Sequence, residues 1–436
     1  MRDSKPIPSS RLARMSKLGG FASKVAGNVL AGGAKQLATG NRPKFGDLLL
    51  TPKNIDSLVT QLAHMRGAAM KLGQLLSMDA GEVLTPELAA LLERLRSDAD
   101  PMPYKQFVQV MNNAWGGDWQ GRVQYISPRP FSAASIGQVH KANSHDGDTL
   151  AIKVQYLGVS RSIDSDVDNV MSLLRMARLL PAGIEESGLV DEAKAQLKME
   201  ADYRHEAEMA KQYAKLLDGD DRFAIPHIYD ELTTETTLAM AFVNGQPIDS
   251  LASQAQRDQF ATALIELFLR ELLELQFMQT DPNPANYQVQ ADGTIVLLDF
   301  GATRKISDVV SHGYRKLLNA GYHNDRGEIA KAAEQIGYFN ADIPTSYKEQ
   351  VVELFVLATE ALRSDGDFDF AASDQAKRIR EQGIAISQAM RESKSGWHSP
   401  PVDALFIHRK VAGLYLIAAK LQAKVPVKEM FQRYLD

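Results

Sequence analysis

The chain has 436 residues, 44% of them hydrophobic and 24% charged, enough apolar material for a large core spread over two or three structural units. A formal net charge of -5 gives no overall basic surface, so nucleic acid is not an expected partner. The absence of cysteine excludes disulfides and thiolate metal sites, and neither an H-E-x-x-H nor a G-x-S-x-G motif is present to support a zincin or a hydrolase elbow.

Residues 1–46 stand apart in composition. From Ser4 to Gly46 there is no acidic residue, whereas Lys5, Arg11, Arg14, Lys17, Lys24, Lys35, Arg42 and Lys44 are basic. Leu18, Phe21, Ala22, Val25 and Val29 recur three or four apart, an apolar helical stripe suited to the interface of an anionic membrane. Transit peptides are likewise basic, acid-poor and amphipathic, and a plain surface helix would read the same way. No apolar run approaches the ~18 residues that span a bilayer. The stretch 12–37 is interrupted by Lys24, and 411–421 is too short and reads as a buried helix of a C-terminal bundle.

Residues 47–103 are expected to form a helical extension. Across 55–96, Leu58, Leu62, Met65, Ala69, Leu72 and Leu76 fall at helical spacing, and the turn-rich stretch 97–103 ends it. A strand-containing lobe with inserted helices follows over 104–245. Its strands are read at Val139-His140-Lys141-Ala142 and, after a turn at Asp146-Gly147-Asp148, at Leu150-Ala151-Ile152-Lys153-Val154. Helices are expected at 163–180 and 189–217, and a strand pair at 225–229 and 237–243. Residues 246–436 form a mostly helical lobe, with a helix over 253–278 and little but helix after residue 301.

The chemistry is concentrated in the last lobe. Asp281-Pro282-Asn283-Pro284-Ala285-Asn286 has the D-x-x-x-x-N spacing of a kinase catalytic loop, and the apolar strand Ile295-Val296-Leu297-Leu298 then delivers Asp299-Phe300-Gly301. In kinase-type phosphoryl transfer one Asp faces the nucleophile, while the Asn and the second Asp hold magnesium over the phosphates. Upstream, Ala151-Ile152-Lys153-Val154 matches the V-A-I-K strand whose lysine meets the phosphates. The preceding loop, Ser132 to Val139, departs from a Gly-rich loop. Only Gly137 survives, so Ala133, Ala134, Ser135, Ile136 and Gly137 would offer backbone amides to phosphate in a different geometry. Glu200 and Glu206 are candidate partners for lysines; on one continuous helix they would project to different sides. Backbone groups near Ala241 and Val243, at the end of a strand, are the expected adenine partners. No A-P-E triplet follows Asp299, which argues against ordinary peptide docking.

Taken together, Lys71-x-Gly73-Gln74, the Ala-rich loop, Glu200-x-Asp202, Gln279-Thr280-Asp281-Pro282 and Leu298-Asp299-Phe300-Gly301-Ala302-Thr303-Arg304 resemble the UbiB/AarF (ABC-one) family of atypical kinase-like ATPases, in its coenzyme Q branch. The resemblance covers residues 10–436. It implies an α+β, two-lobe atypical protein-kinase-like fold with an N-terminal K-x-G-Q extension acting as a lid and a mostly helical C-lobe. It implies an enzyme that binds ATP or ADP with Mg2+. Lys153 would contact phosphates and pair with Glu206, Asn286 and Asp299 would hold the metal, and Asp281 would take the catalytic position. Lys71 would pair with Glu200, and Gln74 would approach the nucleotide. It further implies a role in ubiquinone biosynthesis beside anionic membrane lipids, with quinone-pathway proteins or isoprenoid quinone precursors as partners. Peripheral attachment to the cytoplasmic face of an inner membrane is expected, with the mitochondrial matrix side as the alternative. Asn283 and Ala285 stand where many members have His and Gly, and Met209 replaces the Asn of the family's E-A-x-N ending.

Overall fold

The computed structural model describes residues 58–60, 62–63, 65–79, 86–97, 101–177, 179–180, 186–339, 343–392 and 401–435. The basic segment expected over 1–46 and the side chain of Gln74 lie outside the described residues. The chain divides into two compact units. One comprises Met1–Ala207 with His227–Phe242, the other Glu208–Pro226 with Val243–Asp436.

The first unit is built on an antiparallel sheet. The strands Tyr125–Ile126, Gly137–Asn143, Thr149–Gln155 and Thr237–Ala241 are neighbours in that order, and Ser132–Ala133 folds back onto the start of Gly137–Asn143. Gly147, at a φ of 95°, closes the tight turn between the two long strands. Thr149–Gln155 is buried along nearly its whole length, as a central strand requires. The helix Tyr104–Trp115 covers one face, burying Phe107, Val110, Met111 and Trp115 with Ala142, Leu150, Ile152, Val154 and Ala239. The Trp115 indole N–H is satisfied by the Leu232 carbonyl at 3.0 Å and the Thr237 hydroxyl at 3.1 Å. The helices Arg66–Asp79, Val159–Met176 and Glu186–Glu200 pack on one another. Each buries apolar residues at helical spacing: Leu72, Leu75 and Leu76; Val167, Val170 and Leu174; Leu189, Ala193 and Leu197.

The second unit holds a sheet in which Phe223–Ala224, Ile295–Leu297, Tyr287–Val289 and Gln246–Pro247 lie side by side. The first pair is parallel and the others antiparallel. A short ladder joins Phe277–Gln279 to Thr303–Lys305, so the strands entering the catalytic loop and leaving the Asp-Phe-Gly turn are paired. Helices make up most of the remainder, among them Gln254–Arg270, which starts in a capping box of Ser253 and Gln256, and the apolar Val402–Lys420. Among the described residues no helix is long and apolar enough to cross a membrane.

Three sequence expectations need correction. The helix expected over 189–217 is two helices, Glu186–Glu200 and Tyr203–Leu216. Asp202 breaks it, because its carboxylate accepts the Arg204 and His205 amides and so caps a new helix. The helix expected over 253–278 leaves α geometry at Arg270, makes one π-helical turn over Glu271–Leu275, and ends at Gln276 with a φ of 50°. The strand pair expected at 225–229 and 237–243 shrinks to one bridge between Ile228 and Met240, while Phe223–Ala224 pairs with Ile295–Leu297 in the other unit.

Candidate active site

In the first unit the central strand points Lys153 at the helix that Asp202 restarts. Its ammonium donates to both carboxylate oxygens of Glu206, at 2.9 and 3.0 Å, and lies 5.0 Å from the centre of the Tyr203 ring. Both side chains are nearly out of water, at 11% and 2% exposure, so each charge depends on the other. The helix break makes this pairing possible, since Glu206 sits in the first turn of its own helix while Glu200 ends the previous one. Glu200 forms an ion pair with the buried Lys71 of the helix Arg66–Asp79 and accepts the Ser135 hydroxyl at 3.0 Å. A helix of the extension, the E-x-D carboxylate and the Ala-rich loop are thereby joined.

That loop is a closed turn. The Ala134 amide donates to the Gly137 carbonyl at 2.9 Å, so it is already used; Ala133 and Ser135 are exposed, and Ile136 is buried. Gly137 is required by a close approach, because a Cβ there would overlap the Val154 carbonyl oxygen on the neighbouring strand. Gly67 likewise lets the extension helix lie on the loop: a Cβ there would sit 2.8 Å from Ile136 Cγ2. At the expected hinge, the Ala241 amide donates to the His227 carbonyl at 2.8 Å, which leaves only its carbonyl for an adenine amine. Val243 falls in the second unit and is half-buried.

In the second unit the catalytic loop is anchored at its root. Thr280 bonds the Ala302 carbonyl through both its amide, at 3.1 Å, and its hydroxyl, at 2.7 Å. The Asp281 carbonyl accepts from the Asn283 amide at 2.8 Å, the Gln279 side chain at 2.9 Å and the Asn286 side chain at 3.1 Å. Asn283 caps the turn Pro284–Asn286 by accepting the Ala285 amide, so in this chain the residue shapes the loop. The Asn286 carbonyl accepts the Leu298 amide at 3.0 Å, which ties the loop to the strand that leads into Asp299. Asp299 accepts the Gly301 amide at 3.1 Å. The Asn286 amide nitrogen faces Asp281, which leaves its oxygen for a cation. That oxygen and the Asp299 carboxylate are hard donors of the kind magnesium takes beside phosphate oxygens. Among the described residues no cluster of three or more His, Asp or Glu side chains is assembled for a metal. These two oxygen donors fit a magnesium that would take its remaining ligands from phosphate and water.

Residues 94–333 match the ABC1 atypical kinase-like domain. The chain belongs to the ABC1 atypical kinase-like family. It is 34% identical over 435 residues to the atypical kinase COQ8, mitochondrial, of Saccharomyces cerevisiae, covering 98% of this chain and 85% of that one. It is also 34% identical to the atypical kinase COQ8B, mitochondrial, of Danio rerio, over 98% of this chain and 68% of the relative. Among solved structures, the complex of Rv3197 with erythromycin from Mycobacterium tuberculosis is similar in fold, with a TM-score of 0.59 and 24% identity over 88% of this chain and 95% of that one. The α+β atypical-kinase fold and the ATP-dependent phosphotransferase or ATPase class follow from membership.

The chain also places polar and charged neighbours beside the candidate catalytic loop that the sequence motifs do not mark. Arg409, on the helix Val402–Lys420, forms an ion pair with Asp281. Next to it, the fully buried Lys410 donates to the Gln279 carbonyl at 2.7 Å and side chain at 3.2 Å, and lies 3.4 Å from Glu271. Glu271, presented by the π-helical turn, accepts the Gln279 amide at 3.0 Å and the Tyr213 hydroxyl. Burial, reinforced by the Glu271 charge, pushes the Tyr213 hydroxyl well above its usual range, so it stays a proton donor. Burial is the largest single influence on the Lys410 ammonium and works against it, but the Glu271 charge, Tyr287 and the hydrogen bonds to both together bring its pKa above the ordinary lysine value. The available sequence signal was charge in apolar surroundings: Glu271 within an apolar helix, and two adjacent cations before the run Val411 to Ala419.

Proposed function

We propose that this ABC1 chain binds Mg-ATP, hydrolyses it slowly, and supports ubiquinone biosynthesis at a membrane surface. The buried bidentate Lys153–Glu206 pair is the observation that carries the nucleotide reading, because a lysine held this way is oriented for phosphate before ligand arrives. Asn286 and Asp299 would hold magnesium, which neutralises phosphate charge when bound. Asp281 would face the attacking oxygen. The Lys71–Glu200–Ser135 linkage supports a regulatory role for the extension, since Ser135 belongs to the loop that would meet phosphate. The pathway assignment rests on the likeness to COQ8 proteins, and quinone-pathway proteins or isoprenoid precursors are the proposed partners. The basic, acid-free stretch before residue 47 supports peripheral attachment to anionic lipid. The mitochondrial names of those relatives favour the matrix-side alternative for that attachment.

The test is Mg-ATP hydrolysis by the full chain, with and without anionic liposomes, beside Asp299→Asn. Turnover that rises with liposomes and is lost in the variant is the expected result. Full activity in Asp299→Asn would remove the assignment, and nucleotide binding without turnover under either condition would turn the reading towards a nucleotide-switched scaffold. A phosphorylated quinone precursor would make the protein a small-molecule kinase.

A further inference from the structure

The helix Val402–Lys420 touches the catalytic loop at successive points along one side. Arg409 holds the Asp281 carboxylate through Oδ1, while Asn286 approaches Oδ2 at 3.4 Å. Lys410 fixes Gln279, two residues before Asp281, by both its carbonyl and its side-chain oxygen. One turn beyond Arg409, Gly413 lies so close to the loop that a Cβ would overlap the Pro282 ring. Residues 409 and 413 are four apart and share a helix face. Arg409 and Lys410 are charged yet only 9% and 2% exposed, so neither serves as a solvated surface cation. Each of these contacts is to residues 279–282, the segment that delivers the proposed catalytic carboxylate.

We propose that Val402–Lys420 is a splint for the catalytic loop and that Arg409 is a positioning residue for phosphoryl transfer, setting the orientation of the Asp281 carboxylate. The proposal rests on the reading of Asp281 as the group that faces the attacking oxygen. A carboxylate on a short loop can rotate about its side-chain bonds, and a guanidinium on one oxygen with an amide near the other leaves one orientation. Reactive geometry is sensitive to such placement, and a shift of about 1 Å can lower turnover about a hundredfold. Nucleotide affinity, which depends on Lys153 and the magnesium-binding oxygens, is separate from this contribution.

The experiment compares Arg409→Met, Arg409→Lys, Gly413→Ala and Asp281→Asn in the full chain. It measures kcat and KM for Mg-ATP, the Kd for Mg-ADP and the thermal midpoint. Arg409→Met is expected to lower kcat about tenfold to a hundredfold while KM and the Mg-ADP Kd stay within about twofold. Arg409→Lys restores most of the rate, because a cation again faces the carboxylate. Gly413→Ala, which keeps the arginine but displaces the loop, lowers kcat in the same way. Parent turnover in Arg409→Met beside an inactive Asp281→Asn overturns the splint and leaves the role of Asp281 standing. Equal losses of kcat and Mg-ADP affinity in the methionine and lysine variants, with a lowered midpoint, also overturn it by making Arg409 a stability residue. Parent turnover in Asp281→Asn would remove the underlying reading and the splint together.

Discussion

At the scale of single residues, the centre beneath the catalytic loop is an ionic pair that cannot lose one member cheaply. Glu271 is fully buried, and among the described residues its side chain meets Lys410, the Tyr213 hydroxyl and the Gln279 amide. Lys410→Met keeps the stem volume but leaves a carboxylate without its cation, and orphaning a buried charge costs about 3–5 kcal/mol. The expected outcome is a loss of that size in denaturant unfolding, partly regained when Glu271→Gln is added. A single variant within about 1 kcal/mol of the parent would mean that Glu271 is not held as an anion by Lys410. Neither member of this pair was legible as such in the sequence. Lys153, Asn286 and Asp299 stand out in the sequence as candidates because phosphate and magnesium demand particular residue types at particular spacings. Glu271, Arg409 and Lys410 answer to partners brought near by folding, and a charge in an apolar stretch states that it is paired without naming its partner.

Among the elements, the break at Ala201 and Asp202 has the largest consequence for the site. The sequence from residue 189 to 217 has helical periodicity throughout, and no glycine or proline marks the boundary after Glu200. A single cap decides it: Asp202 accepts the Arg204 and His205 amides at 3.1 Å each, and the Tyr203 amide turns to the Glu235 carbonyl. The break lets Glu200 meet Lys71 and Ser135 while Glu206 meets Lys153, a division that one continuous helix would have to achieve by angular separation alone. Asp202→Ala should cost about 1 kcal/mol in stability, the usual value of a lost N-cap. Asp202→Asn, which keeps an accepting oxygen, should recover most of it. An alanine variant as stable as the asparagine variant would show that the Tyr203–Glu235 bond alone stops the helix. The Ala-rich loop gives the opposite case. Its departure from a glycine-rich pattern was plain in the sequence, but the Ala134–Gly137 closure and the packing role of Gly137 needed the fold, because both depend on the neighbouring backbone.

For the whole molecule, the residues that kinase chemistry assigns to one ligand are distributed over two compact units. Lys153 and Glu206 belong to the first, and Asp281, Asn286 and Asp299 to the second. The order of motifs along the chain made that assignment legible. The composition of the units was less so, because Glu208–Pro226 joins the second unit ahead of the strand Thr237–Ala241 in the first. A ligand that binds only the folded chain stabilises it by RT ln(1 + [L]/Kd), about 2.7 kcal/mol at a hundred times Kd. Mg-ADP at that excess should therefore raise the thermal midpoint of the parent chain. At the same Mg-ADP concentration, Lys153→Met and Asp299→Asn should each reduce the rise, the first by removing the proposed phosphate contact and the second by removing the proposed magnesium ligand. ADP without magnesium sharpens the test: Asp299→Asn should then match the parent, whereas Lys153→Met should still fall short. A midpoint shift unchanged in Lys153→Met would mean that the buried pair with Glu206 serves the fold alone. An unchanged magnesium-dependent shift in Asp299→Asn would mean that the metal is held elsewhere.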